Sequence, residues 1–239
     1  MNEAKYNKYK DFYTKDYLMG PNSFLLLDEL VNENAAALGG RILDLGCGQA
    51  LTSIFLANET AAKSVYALDL WIEPTDNMKR IISHSLEDKI IPLKGDALAL
   101  PFAKDYFDTI ISVDTYHYFG CAEGIFAEKI LPFVKKGGSI LIAVPGIRYE
   151  PAGKELELFK EWAENGDHEL FHTAEWWKNH LLKNTDGQIE INVTEGKCYD
   201  KAWDDWFKSG NDYGVRDKEY LDKGLYDLLN FVMISIKKV

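Results

Sequence analysis

The middle of the chain alternates between short, wholly apolar runs and longer stretches with apolar residues on one stripe. The runs cover residues 41–45, 64–69, 89–93, 108–113 and 138–144. They lack a strict every-second-residue pattern, as expected for strands covered on both faces of a parallel sheet. Between them, residues 50–58 carry Leu51, Ile54 and Phe55 at helical spacing. Residues 74–84 carry Met78, Ile81 and Ile82 behind a cap at Thr75 or Asp76, and 122–134 carry Ile125, Phe126 and Ile130. Upstream, residues 22–38 predict a helix capped at Asn22 or Ser23 and ended by Gly39 and Gly40. Repeated strand–helix–strand units imply right-handed crossovers and an open α/β sheet.

After Gly146 the rhythm changes. Residues 147–172 are polar and aromatic without a clear strand, Thr173 caps a helix through Leu182, and 188–197 alternate as a strand. Residues 201–209 read as helix and 230–237 as a last strand. No Pro/Gly/Ser linker interrupts the chain, so residues 1–239 are expected to form a single domain, with an insertion at 147–187 and sheet completion at 188–239.

Composition narrows the function. A chain of 239 residues with 46% hydrophobic content builds its own core. With 27 basic against 38 acidic side chains the net charge is −11, which argues against a nucleic-acid partner. Residues 147–239 hold 13 basic and 19 acidic groups, more than half of the excess. Cys47, Cys121 and Cys198 are odd in number and widely spaced, neither a disulfide framework nor a zinc set. His168-Glu169-Leu170-Phe171-His172 matches a zinc-helix string, but that reading needs a continuous helix and a third ligand, so no metal is expected. The first residues lack a leader-like apolar run, and no apolar stretch approaches a membrane span. The expectation is a soluble cytoplasmic protein of open oligomeric state.

The candidate chemistry sits at Ile42-Leu43-Asp44-Leu45-Gly46-Cys47-Gly48-Gln49-Ala50, where a buried strand ends in two glycines and a helix follows. Gly46 permits a tight turn, and Gly48 lets a ligand approach the backbone. Asp69 ends the next strand, where an acid can accept both hydroxyls of a ribose. A dinucleotide loop would carry a third glycine where this chain has Leu51, and Asp44 would oppose a pyrophosphate. A ligand with a ribose, an amino-acid ammonium and no phosphate fits better, and S-adenosylmethionine is such a ligand. Asp44 either faces that ammonium or braces the loop from behind.

Over residues 38–146 the sequence resembles the class I S-adenosylmethionine-dependent methyltransferases, of the small-molecule type related to those of ubiquinone and menaquinone biosynthesis. Residues 42–50 resemble the family's first motif, and Asp69 its ribose-binding acid, with Leu70 beside the adenine. Gly95-Asp96-Ala97 followed by Leu100-Pro101-Phe102 resembles its third-strand motif, in which Asp96 would accept from the adenine amino group. Phe107-Asp108 through Val113 resembles its fourth strand, and Leu131 through Gly138 the turn before its fifth. Tyr17-Leu18-Met19-Gly20-Pro21-Asn22, Asp69-Leu70-Trp71-Ile72, residues 112–120 and Glu175-Trp176-Trp177 are similar to a bacterial subgroup without an assigned acceptor.

The resemblance implies a Rossmann-like, mostly parallel sheet of seven strands with the last one antiparallel and helices on both faces. It also implies a cofactor core at 39–146, an N-terminal lid and helix at 1–38 and a lid insertion after the fifth strand. Implied cofactor contacts are Asp44, Gly46, Cys47, Gly48, Asp69, Leu70, Asp96, Ala97 and Asp114, of which Asp114 either holds the methionine moiety or the substrate, or only caps a helix. S-adenosylhomocysteine would be the product. His117 is the candidate general base, its other reading being a pocket-shaping residue. Tyr17, Tyr118, Tyr149 and His172 are candidates to border a small-molecule acceptor. The alternatives are a nicotinamide-dependent oxidoreductase and a non-catalytic S-adenosylmethionine-binding module.

Overall fold

The computed structural model describes residues 1–34 and 38–239. Among the described residues seven strands form one sheet: β1 (Gly39–Leu45), β2 (Ala61–Asp69), β3 (Ile90–Lys94), β4 (Phe107–Val113), β5 (Val134–Ile147), β6 (Ile189–Glu195) and β7 (Leu229–Lys238). Their spatial order is β3-β2-β1-β4-β5-β7-β6. The first five pair in parallel, and β7 runs antiparallel to both β5 and β6. The Rossmann-like sheet and its antiparallel last strand agree with the sequence reading.

The apolar runs form strands because helices cover the sheet on both faces. One buried cluster includes Phe24, Leu27, Ile54, Phe55 and Trp203, from the face that carries α2 (Ser23–Glu33), α3 (Leu51–Glu59) and α8 (Tyr199–Lys208). The other includes Tyr116, Phe126, Ile130, Trp177 and Leu181, from the face with α7 (Ala174–Leu182). The apolar stripe of α8 packs on the core: Trp203 stacks on Phe231, and Trp206 is buried. Of the adjacent pair in α7, Trp177 is wholly buried, and Trp176 is sandwiched between His172 and His180. The Thr173 cap forms as expected, accepting from the Trp176 N–H.

Several expected boundaries differ. Asn22 does cap α2, accepting from the Phe24 N–H, but the helix closes at Glu33, and Gly39 and Gly40 already belong to β1. Residues 35–37, inside the predicted helix, lie outside the described residues. Helix α4 (Pro74–Ser83) starts with Pro at its first turn behind Glu73, which makes no side-chain cap. The expected helix at 122–134 shrinks to a π-helical turn at Phe126–Ile130 and a 3-10 turn at Leu131–Phe133. Pro132 lacks the N–H that would carry the helix onward.

Residues 147–172 hold α6 (Gly153–Trp162) and an irregular 3-10 stretch, Glu164–Leu170, in which Asn165 and Gly166 have positive φ. His168 and His172 therefore share no continuous helix, which the zinc string would require. The polar helices α1 (Glu3–Tyr9) and α9 (Asp212–Tyr220) have caps at Asn2 and Asn211 but weak apolar stripes, so periodicity passes over them. Two short helices, α5 (His117–Gly120) and α10 (Tyr226–Leu228), follow β4 and precede β7, respectively. Among the described residues no helix is long and apolar enough to cross a membrane.

Candidate functional site

Strand order reverses between β1 and β4, and a cavity of about 310 Å³ opens beyond their carboxyl ends. Crevices at such switch points are where open α/β sheets bind ligands, and the volume lies at the small end of the usual range of about 300–1,000 Å³. The β1–α3 loop forms the floor. Gly46 (φ +75°) and Gly48 (φ +51°) use backbone angles that favour glycine, and a Cβ on Gly46 would fall 2.1 Å from Thr115 Cγ2. Ala50 adopts φ +60° without being glycine. It gives α3 no side-chain cap, so the first turn, with Leu51 and Thr52 on the cavity wall, retains free N–H capacity for an anionic group.

The loop is tied down from three sides. The Gly46 and Cys47 N–H groups donate to Leu68 O at 2.8 and 3.1 Å. Asn77 Nδ2 donates to Gly48 O at 2.9 Å, and Arg80 donates to both Gln49 oxygens at 2.7 and 2.8 Å. Gln49 Nε2 in turn donates to Asp16 O at 3.0 Å, tying the N-terminal segment to the loop. That segment contributes Tyr17, Met19, Gly20 and Pro21 to the cavity wall. It is anchored on α8 by the Asn22 N–H to Ala202 O, 3.1 Å, and by Asn22 Nδ2 to Asp205 Oδ2, 2.7 Å.

Asp69 lies at the cavity wall with both oxygens engaged. Oδ2 accepts from the Gly48 N–H at 2.9 Å, and Oδ1 accepts from the Trp71 and Ile72 N–H groups at 2.8 and 2.9 Å. Oδ2 keeps a further acceptor position for a ribose hydroxyl. Asp96 accepts from the Leu98 N–H at 2.8 Å and lines the cavity with Ala97, while Leu70 and Trp71 stand exposed at its rim. Of the residues named from the sequence, the cavity brings together Gly46, Cys47, Gly48, Asp69, Leu70, Asp96, Ala97, Asp114, Tyr17 and Tyr118. Burial raises the Cys47 thiol well above its ordinary pKa, which keeps it in the unreactive thiol form.

Four expected positions fall elsewhere. Asp44 is 1% exposed and is not among the cavity-lining residues; its Oδ2 accepts from Thr52 Oγ1 at 2.7 Å and Ser53 Oγ at 2.5 Å. Those two hydroxyls on α3 provide the brace that is one of its two readings. His117 is buried on α5 behind the wall, its ring beside Tyr118, and Nδ1 has no partner among the described residues. Burial pushes it down to about 3, so it stays neutral and is a weak base placed off the cavity. Tyr149 is exposed and donates to Glu155. His172 stacks on Trp176 and is pushed down to about 4 by burial and by His180. Thr115 lines the cavity as well, and its hydroxyl donates to Gly46 O at 3.1 Å. Its signal was its place just beyond β4, opposite the glycine loop.

The Asp44 brace has a measurable consequence. Burial pushes its carboxyl up to about 6, although the Ser53 and Thr52 hydroxyls pull the other way. The folded protein thus keeps a proton that the unfolded chain loses near pH 4, and stability from this group falls as pH rises from about 4 to about 6, then levels off. Asp44→Asn is expected to remove that loss, raising the melting temperature at pH 8 but not at pH 4, with a ceiling of about 3 kcal/mol. Thermal melts of both proteins at the two pH values check it. A variant less stable at pH 8 would mean that the charged brace outweighs its burial.

The seven-stranded sheet with its switch-point cavity has the fold of class I S-adenosylmethionine-dependent methyltransferases. Residues 42–138 match the family model described as a methyltransferase domain. An uncharacterised methyltransferase of Geobacillus sp. (strain WCH70) is 28% identical over 148 residues, 62% of this chain and 66% of that protein. The chain thus spans just under two thirds of the length of this curated relative.

Phosphoethanolamine N-methyltransferase 2 of Haemonchus contortus, solved with phosphomonomethylethanolamine and S-adenosylhomocysteine, superposes with TM-score 0.73 at 17% identity, covering 100% of this chain and 58% of that one. Geranyl diphosphate C-methyltransferase from Streptomyces coelicolor A3(2), solved with Mg²⁺, geranyl diphosphate and S-adenosylhomocysteine, superposes with TM-score 0.66 at 14% identity, covering 89% and 79%. One fold therefore serves a nitrogen and a carbon acceptor, and the acceptor has to be read from the site itself.

Proposed function

We propose that this protein transfers a methyl group from S-adenosylmethionine to a small-molecule acceptor by in-line displacement. The observation that carries the reading is the switch-point cavity, in which the Gly46–Gly48 loop, Asp69 and Asp96 meet. In this reading Asp69 takes the ribose, Asp96 the adenine edge, and the uncapped start of α3 the methionine carboxylate. The bound sulfonium supplies an electrophilic methyl group, so the protein chiefly aligns a nucleophile and excludes water. The Tyr17–Pro21 segment is the natural lid, with residues 147–187 as a second cover over a single domain. The reading places the enzyme in a bacterial cytoplasm and assigns no metal to the transfer.

Calorimetric titration tests the reading. S-adenosylmethionine and S-adenosylhomocysteine are both expected to bind with micromolar affinity, and NADH not to bind. A folded protein that takes neither sulfur compound overturns it. Tight NADH binding would favour the oxidoreductase alternative, for which Leu51 replaces the third glycine. Binding without turnover of any acceptor would favour the non-catalytic module.

A further inference from the structure

We infer that the acceptor is an amine with an apolar body, whose nitrogen docks on the Asp114 carboxylate and gives it a proton. This inference rests on the methyl-transfer reading above and moves Asp114 from the cofactor to the acceptor. The charged residues lining the cavity are Asp69, Asp96 and Asp114, and among the described residues no Lys, Arg or His lines it. A cavity of that sign concentrates cations and repels a carboxylate or phosphate acceptor. Asp69 and Asp96 already accept from backbone N–H groups, and their remaining acceptor positions go to the cofactor in the reading above. Asp114 has no hydrogen-bond donor or cation on its carboxylate among the described residues; its charged neighbour is another acid, Asp217.

The chain holds this unpaired carboxylate in place against its own conformational preference. Asp114 has φ +57°, and its N–H is tied to Ala143 O at 2.8 Å. Its Oδ2 lies 2.7 Å from where a Cβ on Gly20 would stand, so the N-terminal segment packs close against this carboxylate. Unusual backbone angles kept by a rigid surrounding are found where function needs a group aimed one way. Around the mouth, Met19, Leu70, Trp71 and Tyr118 are 60%, 51%, 67% and 53% exposed, and the last two rings stand edge to face at 6.2 Å. These apolar groups suit the body of the acceptor, and the two rings can also face a cation.

The chemistry balances with one carboxylate. The ammonium of the acceptor gives a proton to Asp114, and the freed nitrogen lone pair forms a bond to the methyl carbon. The methyl–sulfur bond breaks with both electrons staying on sulfur, which becomes a neutral thioether. The product leaves as the methylated ammonium, and Asp114 returns its proton to water. Burial first and Asp217 second hold Asp114 at about 7, with the Tyr118 hydroxyl, itself pushed up to about 12, as the other titratable neighbour on the wall. A group with that pKa both accepts and releases a proton at neutral pH.

The test uses Asp114→Asn, which keeps the shape and removes the charge. The probes are 2-phenylethylamine and tryptamine, against 3-phenylpropionic acid and 4-ethylphenol as acid and phenol of similar body. Calorimetry of each probe into the S-adenosylhomocysteine complex is expected to show binding of the amines only, lost in Asp114→Asn. Methyl transfer to the amines is expected to fall at least about 100-fold in the variant, with S-adenosylmethionine affinity changed less than about threefold. The inference is overturned if neither amine binds, if the acid or phenol is methylated in preference, or if the variant keeps its amine turnover. It is equally overturned if Asp114→Asn loses S-adenosylmethionine itself, which would return Asp114 to the cofactor. Failure of the wild type to bind S-adenosylmethionine would instead refute the methyl-transfer reading.

Discussion

Asp69→Ala is expected to weaken S-adenosylmethionine binding at least about 100-fold while leaving the protein folded. Two losses add. The ribose loses a charge-assisted hydrogen bond, worth about 1.5–3 kcal/mol. The site also loses its organiser, because the same carboxylate gathers the N–H groups of Trp71 and Ile72 with that of Gly48, which lies 21 positions before Asp69 in the chain. Those donors would then turn to water, and Gly48 would no longer be held against the end of β2. Asp69→Asn is a sharper probe, since its amide must point an NH2 at a backbone N–H on one side or the other. Affinity is therefore expected to fall in both variants, further in Ala. Calorimetry checks the binding and circular dichroism the fold; a dissociation constant within threefold of wild type in both would remove Asp69 from the site.

Gly46→Ala is expected to cost about 3–5 kcal/mol of stability, a fall in melting temperature of roughly 6–20 °C for a domain of this size. The added Cβ would stand 2.1 Å from Thr115 Cγ2 and 2.7 Å from Thr115 Cβ, with backbone strain from φ +75° besides. Thr115 has little room to retreat, because its hydroxyl is bonded to Gly46 O. The double variant with Thr115→Ala separates the two costs. It removes the clash with Cγ2 but keeps the close Cβ and the φ strain, so it is expected to recover part of the loss and not all. Thermal denaturation with and without S-adenosylmethionine reads both effects, since a ligand that binds only the folded state raises the melting point. A Gly46→Ala protein as stable and as responsive to the ligand as wild type would show that the loop relaxes freely.

The cofactor side of the cavity was legible for a local reason. Gly46, Gly48 and Asp69 take their positions from strand ends and tight turns, which residue type and spacing announce within a few positions. The acceptor side was not. Asp114, Thr115, Tyr116, His117 and Tyr118 leave β4 in succession, and all of them could face the ligand until the backbone direction is known. The left-handed turn at Asp114 decides it, aiming that carboxylate and Tyr118 at the cavity and burying Tyr116 and His117 behind it. Asp44 is a similar case, because only the packing of α3 on β1 brings Thr52 and Ser53 within reach of its carboxylate.

By itself, the sequence determined the alternating elements and the parallel core, because hydrophobic periodicity and glycine placement act over a few residues, while the antiparallel end came only from the family resemblance. The tertiary structure alone decided that β7 inserts between β5 and β6, that the N-terminal segment lies across the glycine loop, and that one unpaired acid faces the cavity. These depend on contacts between residues far apart in the chain, such as Gly20 with Asp114 and Asn22 with Asp205, whose partners no local pattern specifies.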